Sequence, residues 1–76
     1  MRFIEVQAVG EYNPNTHEQS RITTLVCVEK ICTIQVASSK HAYLYMERGD
    51  AVHLEPEEWE RFNNLLYAYG YRSNSN

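Results

Sequence analysis

The run from Tyr43 to Leu66, YLYMERGDAVHLEPEEWERFNNLL, constrains this chain more than any other stretch, because it spells a strand, a tight turn, a second strand and an amphipathic helix without a gap. Gly49 sets the register. A three-residue loop of Glu47, Arg48 and Gly49, with Gly49 in the left-handed conformation of a bulged hairpin, brings Met46 opposite Asp50, Leu44 opposite Val52 and Tyr43 opposite His53. A two-residue loop would set Leu44 against His53 and mix apolar with polar faces, so the hydrophobic pattern selects the longer loop.

Pro56 then stops the strand and starts the helix, since its fixed φ and missing N–H suit the first helical position. Glu55 falls at the N-cap, Glu57 and Glu58 sit on the positive end of the helix dipole, Leu54 and Trp59 have the spacing of a hydrophobic staple, and Glu58 can reach back as half of a capping box. Trp59, Phe62, Leu65, Leu66 and Tyr69 fall on one stripe, made to cover a sheet, and Gly70 is placed to end the helix. Tyr71 to Asn76 reads as a flexible polar tail.

Upstream, Arg2 to Val9 alternates as a strand with Ile4, Val6 and Ala8 on one face and Phe3, Glu5, Gln7 and Val9 on the other. Gly10 to Gln19 carries turn-forming and polar residues and reads as a long exposed loop. Ser20 to Val28 is apolar on both faces, as a central, doubly covered strand would be. Glu29 and Lys30 make a tight turn to an antiparallel neighbour, Ile31 to Ala37, with Cys32, Ile34 and Val36 inward. The chain is therefore expected to be a single α+β domain over residues 1–70, an antiparallel β-meander of about five strands with one C-terminal amphipathic helix packed on one face.

From Thr24 onward the order TLVCVEKICTIQV, AYLYMERGDAVHL, EPEEWERFNNLL resembles the small flagellar FlbD family and similar short bacterial and phage proteins. The resemblance implies a β-meander with a C-terminal helix and a small accessory or regulatory role, and it assigns no functional residue.

Composition narrows the function classes. A chain of 76 residues buries only about 60% of the surface its unfolded form exposes, so self-association would help it. Seven basic against 10 acidic residues, with no basic cluster, disfavour nucleic acid but leave room for a small anionic ligand. No apolar run approaches the roughly 20 residues of a membrane span, and no signal-peptide pattern follows Met1, so a cytoplasmic protein of a bacterium or phage-infected cell is expected. Two cysteines are too few for a disulfide framework.

No catalytic or metal signature stands out. Cys27, Cys32, His41 and His53 have ligand atoms, but Cys-x4-Cys lacks a second closely spaced pair, and small core thiols explain it. His17, His41 and His53 with Ser38 or Ser39 give no recognisable triad, so no enzyme and no cofactor is expected. Arg48, Gly49 and Asp50 are accounted for by the hairpin rather than by adhesion.

The candidate binding surface is the sheet face away from the helix, which the register endows with His41, Tyr43, Tyr45 and His53, joined by Phe3 from the first strand. Cross-strand aromatic pairing alone also explains these residues. Two functions follow: a non-enzymatic binding module that self-associates through this face or a sheet edge and binds or inhibits a host protein, or a nucleotide-sequestering anti-defence protein. In the latter, Trp59 stacks on a base and an arginine such as Arg48 or Arg61 meets phosphate at an oligomer junction.

Overall fold

The computed structural model describes residues 1–71. Five antiparallel strands, β1 (Phe3–Asn13), β2 (Glu18–Cys27), β3 (Ile31–Val36), β4 (Ala42–Met46) and β5 (Ala51–Leu54), precede one helix, α1 (Pro56–Ala68). The α+β class holds, but the strands divide into a two-stranded ribbon, β1-β2, and a three-stranded sheet, β3-β4-β5.

The β4-β5 hairpin has the register its pattern demands. Tyr43 pairs with His53 and Leu44 with Val52, while Gly49 takes φ 97°. Met46 N–H donates to Asp50 C=O and Gly49 N–H to Met46 C=O, which closes the bulged loop. Even-numbered side chains of this hairpin thus face inward, and Ala42, Leu44 and Leu54 join Ile4, Val6, Val26, Val28, Phe62 and Leu66 in one core.

Four expectations about the first half of the chain are corrected. Gly10 to Gln19 is not a long loop: β1 continues to Asn13 and β2 begins at Glu18, leaving a turn of Pro14 to His17. An antiparallel ladder needs no buried face, so polar residues can extend it. Here Gln19 donates to Gly10 C=O, Ser20 Oγ to Glu11 C=O, and Asn13 Oδ1 accepts from Asn15 N–H to fold the turn.

Nor is β2 a central strand. It pairs with β1 alone and leaves Ile22 and Leu25 54% and 65% exposed. Glu29 and Lys30 belong to a 3-10 turn, Val28–Lys30, that carries the chain between the sheets rather than pairing β2 with β3. In β3 the ladder shifts between Ile31 and Thr33, so Ile31 and Ile34 pack on the core while Cys32 is exposed instead of inward.

The helix buries Phe62 and Leu66, with Trp59 and Leu65 packed alongside; Tyr69, at the end of the expected stripe, stays 41% exposed. Gly70, at φ 91°, closes a Schellman motif in which Gly70 N–H donates to Tyr67 C=O and Tyr71 N–H to Leu66 C=O. Tyr71 is therefore not part of a free tail: it packs on the core and its hydroxyl donates to Glu29 Oε2 at 2.9 Å. Residues 72–76 of the expected tail lie outside the described residues.

The capping residues serve the ribbon instead of the helix. Glu55 is the N-cap but makes no cap bond, because its carboxylate holds Arg21 of β2. Glu58 accepts from Gln7 N–H of β1 at 2.8 Å instead of closing a capping box, and Arg61 bonds both Glu58 and Glu5 C=O. Arg61 and Glu58 thereby occupy backbone groups on the free edge of β1, a side-chain substitute for the strand missing there.

Candidate functional site

Strand alternation puts Tyr43 and Tyr45 of β4 and His53 of β5 on the face of the sheet opposite the buried Ala42, Leu44 and Leu54, and hence away from the helix. His41, just before β4, completes a cluster. The Tyr43 and His53 rings stack with centroids 4.6 Å apart and planes 19° apart. His41 Nδ1 lies 2.9 Å from His53 Nε2, with ring centroids 5.1 Å apart, so the two imidazoles meet nitrogen to nitrogen. One ring donates a proton and the other accepts it, an arrangement that a second imidazolium would break.

Electrostatics follow from this packing. His53 titrates below the ordinary histidine range, first because it is partly buried and then because His41 is beside it, with Glu55 opposing. Its neutral form is therefore favoured, and Tyr45, 37% exposed, flanks the cluster.

Of the five residues expected to form one surface, four come together and Phe3 does not. Phe3, 56% exposed, lines a separate depression of about 310 Å³ between the ribbon and the β4-β5 turn, with Leu25, Val26, Met46 and Val52. An odd-numbered residue at the start of β1 belongs to the outer side of the ribbon, and that ribbon is not continuous with the sheet carrying the tyrosines.

The expected ligand contacts are dispersed. Arg48 is exposed in the β4-β5 turn, Trp59 packs beside Phe62 with ring centroids 6.3 Å apart, and Arg61 is held by Glu58 and β1. A second depression, at the start of α1, is lined by Gln7, Arg21, Glu55, Pro56, Glu57 and Glu58. Its three carboxylates outweigh one arginine already paired with Glu55, so it repels anions.

The imidazoles have partners other than the serines: His41 and His53 hold each other, and His17 meets the Tyr12 hydroxyl. Among the described residues no three His, Cys, Asp or Glu side chains gather to hold a metal. Cys27, at the end of β2, is half-buried and Cys32, in β3, is exposed, so the two thiols on either side of the 3-10 turn are not the core thiols expected.

Sequence reasoning missed a junction built on Glu29. Its carboxylate accepts from Arg2 N–H at 3.0 Å and from Tyr71 at 2.9 Å, while the Arg2 guanidinium lies 4.5 Å from the Tyr69 ring centroid. The Arg2 backbone bond, then Glu29's own N–H, then Tyr71 hold this carboxyl at a pKa of about 2. Partners 27 and 42 positions away leave no local pattern from which the junction could be read.

No described helix is long and apolar enough to cross a membrane. No family model matches the chain, no curated protein matches it, and no solved structure matches it. The molecule is defined by its own architecture: a β-ribbon and a three-stranded sheet sharing a core with one C-terminal helix.

Proposed function

We propose that this chain is a small non-enzymatic binding module whose contact surface for a protein partner is the outer face of β3-β4-β5. One observation carries the reading: His41 and Tyr43 both pack on His53 to form a preformed aromatic surface, with Tyr45 beside them on the same face. Rigid aromatic rings offer large contact area at small entropic cost, and rings already held by their neighbours have less freedom to lose on binding. The likeness in pattern to the FlbD family is in keeping with an accessory or regulatory role in a bacterial or phage setting.

Nucleotide sequestration is the weaker reading. Its proposed stacking and phosphate-binding residues are far from one another in role, with Trp59 in the core margin and Arg61 bound to the β1 edge. Two measurements test the choice. Affinity capture with the wild-type chain and with a Tyr43→Ser, Tyr45→Ser variant should recover a partner with the first and lose it with the second; equal recovery sinks the aromatic surface. A thermal-shift screen with nucleotides and cyclic dinucleotides should show no stabilisation, whereas a ligand at about 100 times its Kd would add about 2.7 kcal/mol and reverse the choice.

A further inference from the structure

The two long edges of the ribbon are treated differently. Val28 N–H donates to Arg2 C=O, and Glu5 C=O and Gln7 N–H meet helix side chains, so even-numbered backbone groups join β1 to β2 and odd-numbered ones point outward. On β1 two of the outward groups, Gln7 N–H and Glu5 C=O, are capped by Glu58 and Arg61. On β2 the outward groups of Thr23 and Leu25 have no partner among the described residues. This stretch, Ile22 to Cys27, contains no proline, lysine or other charge, the devices that keep an edge from pairing.

We infer that β2 is a self-pairing edge, at which two copies of this chain join antiparallel about a twofold axis at Thr24 to form a continuous four-stranded sheet. A strand meeting its own copy across a twofold axis is complementary in backbone by symmetry. The side chains specify this register. Thr23 and Leu25′, whose backbone groups both point outward, become a hydrogen-bonded pair, and Ile22, 54% exposed, comes beside Val26 of the second copy. Val26 borders a depression lined by Leu25, Met46 and Val52 together with the charged Lys30, Glu47, Arg48 and Asp50, so an uncovered aliphatic side chain of one copy comes beside a partly apolar hollow of the other. That hollow, about 310 Å³, is at the small end of the roughly 300–1,000 Å³ of ligand pockets and suits a side chain.

Area sets the strength. Ile22 and Leu25, on the pairing strand, are 54% and 65% exposed, which at roughly 150–200 Å² for a large side chain is about 200 Å² per copy. A standard interface covers about 800 Å² per partner, so this one falls well short and the dimer, held chiefly by the backbone bonds, is a weak one.

The inference is independent of the aromatic surface, which lies on the other sheet. Light scattering and sedimentation of the wild-type chain up to about 1 mM, where a Kd of order 100 µM leaves most chains paired, should show a dimer. Leu25→Lys, or Thr23→Lys as a second fully exposed substitution, should abolish it with circular dichroism unchanged. Thr24→Cys, with Cys27 and Cys32 replaced by Ser, should oxidise to a linked dimer, since facing residues at a non-hydrogen-bonded pair lie within disulfide reach. A monomer throughout this range, a dimer that survives both lysines, a dimer whose Thr24→Cys form does not cross-link, or a dimer lost in Tyr43→Ser, Tyr45→Ser instead would each overturn it.

Discussion

Arg61→Ala separates a structural arginine from a ligand-binding one. The substitution removes bonds from Nε and Nη2 to Glu58, at 3.3 and 2.8 Å, and the bond to Glu5 C=O. The Arg61 side chain is 49% exposed and that of Glu58 20%, so the ion pair itself is solvent-screened and contributes about 0.3–0.5 kcal/mol. The bond to the β1 carbonyl adds about 0.5–1.5 kcal/mol. The expected loss is therefore about 1–2 kcal/mol, which for a domain of this size lowers Tm by roughly 4–15 °C. Glu58→Ala should cost more, because Gln7 N–H also loses its acceptor, while Glu58→Gln keeps that bond and should cost less. Amide exchange locates the effect: in dilute monomeric protein Gln7 should exchange more slowly than Thr23, whose outward N–H is uncapped, and Glu58→Ala should erase the difference. Equal exchange of the two amides in the wild-type chain, or an Arg61→Ala Tm unchanged within a degree, would refute the edge-capping argument.

Phe62→Ala, at a fully buried position, should cost about 3–5 kcal/mol against the roughly 4–11 kcal/mol expected of 76 residues, leaving a marginal fold that urea titration would register as a sharply lower midpoint. Gly70→Ala meets no atom within 4 Å, so its cost is conformational, about 1–2 kcal/mol at φ 91°, and Gly70→Asn should recover part of it in thermal melts. Acid should weaken the fold in two limbs of one sign. His53 titrates below its unfolded value, so its stability contribution is complete above about pH 6.5 and is lost as pH falls through the lower folded value; Glu29, moved from 4.5 to about 2, contributes above 4.5 and is lost as pH falls towards 2. Melting curves from pH 8 to 2.5 should lose the first limb in His53→Gln and the second in Glu29→Gln; an unchanged profile in either would contradict the assignment.

The fold was legible where one local rule decided the outcome. Gly49 and the alternation around it determine a register that few other pairings satisfy, and Gly70 ends the helix with the bonds its position implies. Where the outcome turned on partners distant in sequence, local rules misled. An apolar Ser20 to Val28 looks the same whether both faces of a strand are covered or one is left open, and in the structure β2 pairs with β1 alone and leaves Leu25 65% exposed. Burial on two faces and exposure at an interface have one compositional signature.

The aromatic surface was readable for the same reason that Phe3 was misplaced. Register arithmetic is reliable inside one ladder, and His41, Tyr43, Tyr45 and His53 belong to one ladder or its immediate continuation. Phe3 belongs to another, and no rule of alternation carries across the break between the ribbon and the sheet. That break also explains the helix start. Glu55, Glu58 and Arg61 would be surplus charge on a helix covering a closed meander, but beside an open ribbon they hold Arg21, Gln7 and Glu5. The polar side of the helix shields one edge of the ribbon, and the other edge, along β2, has no strand beside it among the described residues.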